Sequence, residues 1–306
     1  MKFKQSLDLM SSIIVFLNLY LKASKAPPHT LTGLSLEERD PQIIEELMPF
    51  FGWIYQHYFR VQTDGWEHIP KNGKVLLIGS HNGGLAAPDT VMMTYDWFRQ
   101  FGTKRLAYAL MDRRIWQFLP GLAHLATQVG AIQPTPRLAR TALRRGSALL
   151  IYPGGAKDVF RPYHLRHRIN FQGHRGFIQL ALQEDVTIIP FISYGAHSTL
   201  IVLEDIYPHL QQLHRWGMPW LGGIDPGVFP IYLGWPWGVA IGPLPNIPFP
   251  LKLHTRVCPP IIFERYGQSA SHDREYVHQC YRQVVETMQR ELDQLVIEEE
   301  SACITF

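Results

Sequence analysis

The sequence predicts an α/β fold: a mostly parallel central sheet flanked by helices, with an N-terminal interfacial helix and a C-terminal helix. Three observations predict it. Short apolar runs of strand length recur, such as Lys74-Val75-Leu76-Leu77-Ile78-Gly79. Amphipathic stretches with helical spacing lie between them, so strand and helix alternate along the chain. The runs also end in polar or glycine-bearing turns, which is where an α/β sheet places its chemistry.

The elements follow in order. Met10–Leu21 is apolar, and as a 12-residue helix it would span about 18 Å, short of the roughly 30 Å of a hydrocarbon core. Lys2, Lys4, Lys22 and Lys25 flank it, which suits a helix lying beside anionic headgroups; a packing helix inside the protein is the alternative. Ser35-Leu36-Glu37-Glu38 is a capping-box pattern, and Asp40-Pro41 offers a second helix start. A helix over 41–59 then sets Ile43, Ile44, Leu47, Phe51 and Ile54 on one face. Strands are expected near 74–80, 106–110, 127–132, 147–152 and 186–193, and helices near 87–101, 114–125, 137–146 and 173–184. A last amphipathic helix covers about 272–297. The chain divides into an N-terminal membrane-associating region (1–60), a central domain (61–268) and a C-terminal helix (269–306) packed on that domain.

Trp216–Leu251 stands apart, with Asp225 as its sole charged residue. Its many prolines forbid a continuous helix, so it does not span a bilayer. An irregular segment rich in tryptophan suits a membrane interface or the wall of an acyl-chain cavity.

Composition narrows the function classes. A chain of 306 residues with 46% hydrophobic residues buries a sizeable core. A net charge of +3 gives no basic excess on the scale that nucleic acid demands. Cys258, Cys280 and Cys303 are scattered, which argues against a disulfide framework or a zinc site and for a reducing compartment. The N-terminal apolar run has no clear cleavage site after it.

The most informative turn is Ser80-His81-Asn82-Gly83-Gly84-Leu85-Ala86-Ala87-Pro88-Asp89, directly after Val75–Gly79. It supplies a base (His81), a carboxylate able to hold the imidazole (Asp89), and glycines that let a ligand approach the backbone. Three further blocks follow: Val129-Gly130-Ala131-Ile132-Gln133-Pro134; then Leu149–Lys157 with Pro153-Gly154-Gly155, joined later by Gly173-His174-Arg175-Gly176-Phe177; then Val186–Phe191. In this order and spacing the four blocks resemble the glycerolipid acyltransferase superfamily (lysophosphatidate acyltransferase-like) over roughly residues 45–265. The likeness leans toward its neutral-lipid branch, the diacylglycerol acyltransferase and phytyl ester synthase-type proteins.

The resemblance implies acyl transfer from a thioester, acyl-CoA or acyl-ACP, to a hydroxyl, with no further cofactor and no metal. His81 would be the general base and Asp89 its partner. Backbone amides near Gly83-Gly84 or Gly154-Gly155 would serve the oxyanion. Three departures from the common family pattern stand out, the first at the His81–Asp89 pair and the other two at the acceptor. Seven residues separate His81 from Asp89 where four are usual, and Gly154 stands where the third block usually has glutamate. The second block also lacks its usual arginine. These absences point to a neutral acceptor: diacylglycerol, a long-chain alcohol, phytol or a quinol.

Arg137, Arg140 and Arg144 share one helical face, with Arg145 beside them, and Lys157, Arg161, Arg166, Arg168 and Arg175 follow. Such a patch suits the phosphates of coenzyme A, an acidic acyl carrier protein or anionic headgroups, and Arg175 opens a helix, where anions bind. No Gly-x-Ser-x-Gly elbow, His-Glu-x-x-His pattern, Walker loop or dinucleotide fingerprint is present. The reading is therefore an O-acyltransferase peripheral to the cytoplasmic face of a membrane. A lysophospholipid or glycerol-phosphate acyltransferase and a non-enzymatic lipid-binding protein remain as alternatives.

Overall fold

A computed structural model describes residues 2–27, 30–220, 223 and 225–304, with side chains for those from 9 to 302. The Lys2, Lys4 and Cys303 side chains, and residues 221, 222 and 224 of the tryptophan-rich segment, lie outside the described residues.

Helix α1 (Lys2–Ser24) is twice the expected length, because the polar turns before Met10 continue the helix. Val15, Phe16, Leu19 and Ala23 pack against Ile43, Leu47 and Leu125, so one face belongs to the protein core. The opposite face leaves Met10, Ile14, Leu17 and Leu21 exposed. Among the described residues, no helix is long and apolar enough to cross a membrane. The expected capping box at Ser35 closes only a short 3₁₀ turn, Leu36–Glu38. Glu38 instead accepts from the Gly33 amide at 2.7 Å and the Thr32 hydroxyl at 3.1 Å. Asp40 does start a helix, α2 (Pro41–Trp53), by accepting from the Gln42 and Ile43 amides. A single π-helical turn, Ile54–Tyr58, follows it.

The central sheet alternates strand and helix. Its first members are β1 (Gln62–Asp64), β2 (Val75–Gly79), α3 (Pro88–Phe101) and β3 (Ala107–Leu110). The single helix expected at 114–125 is broken before Pro120 into α4 (Arg114–Phe118) and α5 (Pro120–Val129). The latter consumes most of the strand expected at 127–132. Gly130, at φ +118°, ends it, leaving β4 (Ala131–Ile132). Then come α6 (Pro136–Arg144), β5 (Ala148–Ile151), α7 (Gly155–Val159), α8 (Gly176–Gln183) and β6 (Ile188–Tyr194). The sheet order is completed by β10 (His254–Val257), giving β1-β10-β6-β2-β5-β3-β4, parallel except where β10 meets β6. Period-two alternation divides the core. Leu76, Ile78, Leu149, Ile151 and Ile188 face α6, α8 and the C-terminal helix. Val75, Leu77, Leu150 and Ile189 face α2 and α3.

Between β6 and β10 the chain forms a second, antiparallel sheet of β7 (Ile201–Asp205), β8 (Pro230–Gly234) and β9 (Gly238–Ile241), with α9 (Tyr207–Arg215) after β7. Trp216–Leu251 is thus not wholly irregular. The prolines end its strands but leave room for a hairpin. Val202, Tyr232 and Ala240 pack inward on Phe160 and Leu200. Leu203, Leu233, Val239 and Ile241 on the outer face are exposed, as are Trp235 and Trp237 in the β8–β9 turn.

Helices α10 (Gln268–His272) and α11 (Arg274–Ile304) close the chain, and α11 packs along the main sheet through Val277, Val284, Met288 and Leu295. Its last turns are tied to β1 and β10 by charge. Arg256 bridges Asp64 and Glu298, while Glu299 receives Lys252 and His254. Burial raises the Asp64 and Glu299 carboxyls, but bonds from Arg256 and His254 to the first, and from Lys252 and His254 to the second, leave both below their usual values. Stability from depressed carboxylates is fully present above the unfolded value, about pH 4, and is lost as pH falls through the folded values. Acid unfolding of Arg256→Met is therefore expected to show a shallower dependence on pH below about 4 than wild type. Parallel curves by circular dichroism would contradict this.

Candidate active site

β2 is buried at all five residues, and its carboxyl end delivers Ser80, His81 and Asn82 into a turn between sheet and helix. Gly79 is required just before it. A Cβ there would lie 2.2 Å from the Phe191 ring and 2.7 Å from the Tyr152 ring. Gly83 and Gly84 (φ +85° and +69°) and Ala87 (φ +44°) carry the chain through a 3₁₀ turn into α3. Asp89 sits in the first turn of that helix.

This turn brings the two expected partners together across the seven-residue spacing. His81 Nδ1 lies 3.1 Å from Asp89 Oδ2 and 3.2 Å from Oδ1. Asp89 is almost fully buried and also accepts from the Asn82 amide at 2.8 Å and the Thr90 amide at 2.7 Å. A carboxylate facing Nδ1 assigns the proton of a neutral imidazole to that nitrogen. Nε2 then carries the lone pair, and it has no hydrogen-bond partner among the described residues. The ring is 20% exposed at its side chain, enough for a substrate to reach it. Tyr152, at the end of β5, stacks on the imidazole with centroids 4.4 Å apart. Burial pushes the Tyr152 phenol well above its usual range, so it is neutral beside Asp89.

The remaining expected site residues are placed less evenly. Gly83 and Gly84 approach other elements closely. A Cβ on Gly83 would meet Thr199 Oγ1 at 2.8 Å, and one on Gly84 would meet Leu200 at 2.5 Å. The Gly155 amide donates to the Tyr152 carbonyl at 3.2 Å, which removes it as an oxyanion donor. Gly154 holds an ordinary helical conformation, and its missing side chain makes room for Asp158. Pro153 accepts from His174 Nδ1 at 2.9 Å, which draws Gly173–Phe177 against the third block. Arg175 lies on the surface over the Tyr281 ring, 6.0 Å from its centroid. Arg137 is exposed in the first turn of α6.

The basic patch is less available than its composition suggests. Arg144 is bidentate to Glu184, and Arg145 pairs with Glu37. Arg161 is buried and paired with Asp158. Lys157 and Arg168, with Asp158, Asn170 and Gln172, line a cavity of about 280 Å³. Tyr152 and Asp158 were not legible as site residues, and Arg161, expected in the anion-binding patch, is bonded to the His81 turn instead. Their signal is topological, since β5 lies beside β2 and its end must face His81. Among the described residues, no cluster of His, Cys, Asp or Glu is suited to a metal ion.

Residues 60–194, which span β1 to β6 and include His81, Asp89 and Tyr152, match the family model described as Acyltransferase. The chain carries an acyltransferase domain. Around that domain, it is 26% identical over 258 residues to an uncharacterized protein of Mycobacterium tuberculosis (strain H37Rv), covering 83% of this chain and 66% of that one. An uncharacterized protein of Mycobacterium leprae is 25% identical over 254 residues, 82% of this chain and 64% of the other. The chain thus spans just under two thirds of the length of these relatives. A Gallus gallus protein named "DGAT1/2-independent enzyme synthesizing storage lipids" is 24% identical over 161 residues, 53% of this chain and 41% of its own. Among solved structures, the 1-acyl-sn-glycerophosphate acyltransferase PlsC from Thermotoga maritima aligns over 96% of this chain and 97% of its own, with a TM-score of 0.48 and 12% identity.

Proposed function

We propose that the protein transfers a fatty acyl group from a thioester, acyl-CoA or acyl-ACP, to the hydroxyl of a neutral lipid at a membrane surface. The observation that carries this reading is the His81–Asp89 pair, with a part-exposed imidazole whose Nε2 has no partner among the described residues, within the acyltransferase domain. His81 Nε2 takes the proton of the acceptor hydroxyl as its oxygen bonds to the thioester carbonyl carbon. Asp89 steadies the imidazolium that results. Collapse of the adduct breaks the carbon–sulfur bond, and the imidazolium returns the proton to the departing thiolate. The acceptor oxygen attacks the thioester directly, without a covalent acyl-enzyme intermediate.

Three features favour a neutral acceptor. Gly154 presents no side chain, and the nearby Asp158 is already neutralised by Arg161. In the second block Gln133 is spent on the Thr32 carbonyl at 2.9 Å. The chicken relative's name, which describes storage-lipid synthesis, is consistent with such a product. Lys157 and Arg168, unpaired among the described residues, suit the phosphates of the donor's carrier. The decisive assay gives the purified protein radiolabelled acyl-CoA with diacylglycerol, a long-chain alcohol or lysophosphatidate. Neutral ester that disappears in His81→Ala is expected. Product from lysophosphatidate alone would move the acceptor to the phosphorylated class. Stoichiometric lipid binding without turnover would make the protein a carrier.

The exposed stripe Met10, Ile14, Leu17 and Leu21 on α1 and the outer face of the β7–β9 sheet are apolar surfaces that suit a bilayer interface. Deleting the first 25 residues is a poor test, because it would also strip Leu19 and Ala23 from the core. Ile14→Glu with Leu21→Glu changes only the exposed side. Co-sedimentation with vesicles is expected to fall at least about tenfold at an unchanged circular dichroism spectrum, since each charge opposes burial of that face. Undiminished pelleting would remove α1 from the membrane contact.

A further inference from the structure

His81 is flanked by two buried polar residues, Ser80 and Asn82, and both find partners on one short stretch after β5. The Ser80 hydroxyl donates to Asp158 at 3.1 Å, and the His81 main-chain amide donates to the same carboxylate at 2.6 Å. Arg161, one turn further on, pairs with Asp158 and donates from Nη2 to Asn82 Oδ1 at 2.8 Å. Its other donors reach the Leu165 carbonyl at 2.9 Å and the Arg166 carbonyl at 3.2 Å. Its own carbonyl accepts from His197 Nε2 at 2.8 Å. Burial pushes the His197 imidazole down to about 3, so that ring stays neutral beside the guanidinium.

We propose that the buried Asp158–Arg161 pair is a positioning device that clamps the His81 main chain, so that the imidazole keeps both its bond to Asp89 and the aim of Nε2. The inference rests on His81 being the general base. Its grounds are geometric. The loop's next two residues are glycines at positive φ, which impose little rigidity of their own. Asp89 and Tyr152 hold the ring but not the main chain that carries it, apart from the Asn82 amide. Asp158 supplies the missing restraint through the His81 amide itself. The device has been given its space: a Cβ on Gly154 would lie 2.4 Å from the Asp158 Cβ. A buried ion pair adds little to stability compared with an apolar replacement, so stability alone does not account for it. A displacement of about 1 Å at a catalytic group costs on the order of a hundredfold in rate, which is the scale of benefit that such a clamp offers.

The test uses the full chain with Asp158→Asn, which keeps the shape and one acceptor but loses the charge that holds Arg161. Two readouts are taken: steady-state acyl transfer, and the rate at which diethylpyrocarbonate modifies His81, followed by mass spectrometry. The expected result is a fall in kcat of about 10- to 100-fold with both KM values within twofold, together with a several-fold faster modification of His81 as its ring is released. If Asp158→Asn does not fold, Asp158→Asn with Arg161→Gln, which buries no net charge, is read in the same way. Ser80→Ala, which removes the hydroxyl's bonds to Asp158 and Arg161 but leaves the ion pair and the His81 amide contact in place, is expected to give a smaller change in the same direction. Folded variants with wild-type kcat and an unchanged modification rate, whatever their melting temperature, overturn the proposal. The modification readout needs no turnover. Faster labelling of His81 in a protein that transfers no acyl group would uphold the clamp and refute the proposed reaction.

Discussion

Replacing His81 with alanine is expected to lower kcat for acyl transfer about 10²- to 10⁴-fold, with little change in KM, because general-base help acts on the reacting proton and not on binding. The side chain is part-exposed and stacks on one face of Tyr152, so its loss should leave the fold intact by circular dichroism. Asp89→Asn is expected to approach the same loss by another route. The asparagine keeps an acceptor for only one of the Asn82 and Thr90 amides, which bond to different carboxylate oxygens, and its side chain carries no charge to face Nδ1. The imidazole then loses the partner that fixes its tautomer and stabilises its protonated form, an effect that reaches about 10⁴-fold in serine proteases. The two substitutions together should cost no more than the worse of them, since they disable one unit. A His81→Ala protein that retains activity within tenfold of wild type would place the base elsewhere.

The second large effect is expected at Gly154. An alanine there would set its Cβ 2.4 Å from the Asp158 Cβ, 2.7 Å from its Cγ and 2.9 Å from the Asn170 carbonyl. The backbone angles, φ −72° and ψ −20°, suit any residue, so the penalty is one of space alone. Overpacking of this kind costs about 1–3 kcal/mol. The neighbour that must move is the carboxylate that holds the His81 amide, so activity should fall along with the melting temperature. Gly155→Ala is the control. Nothing lies within 4 Å of its would-be Cβ, and its cost comes from φ +56°, about 1–2 kcal/mol of left-handed strain. Gly154→Ala should therefore lose activity out of proportion to its stability, and Gly155→Ala should not. Equal kinetic behaviour of the two would disprove this account of the third block.

How far the sequence could be read follows from how local each signal was. β2, β5 and β6 are buried on both faces, and their continuous apolar runs mark them without knowledge of their neighbours. β1 and β10 are short and polar, Gln62–Asp64 and His254–Val257, and only pairing with each other and with β6 makes them strands. The β8–β9 hairpin hides among prolines and carries apolar residues on both faces, so it offers no alternation to read. The His81 turn was legible because glycine, histidine and aspartate crowd into one short stretch after an apolar run. Asp158 carries no signal of its own, Arg161 reads as one more cation of an anion-binding patch, and nothing local says that both are buried. Arg144 and Arg145 misled in the opposite direction, since the acids that occupy them, Glu184 and Glu37, lie far away in sequence.

The position of β10 bears on how the polypeptide is made. It separates β6 from β1, and the Asp64–His254 contact joins residues 190 positions apart. A ribosome that has finished the whole stretch matched to the acyltransferase family has still not produced this strand. Until it emerges, β6 presents a bare edge and β1 has no neighbour, an arrangement prone to mispairing with other nascent chains. A fragment cut after residue 194 should therefore aggregate rather than fold, and expression trials that trim the gene to the matched region would discard the strand that closes the sheet.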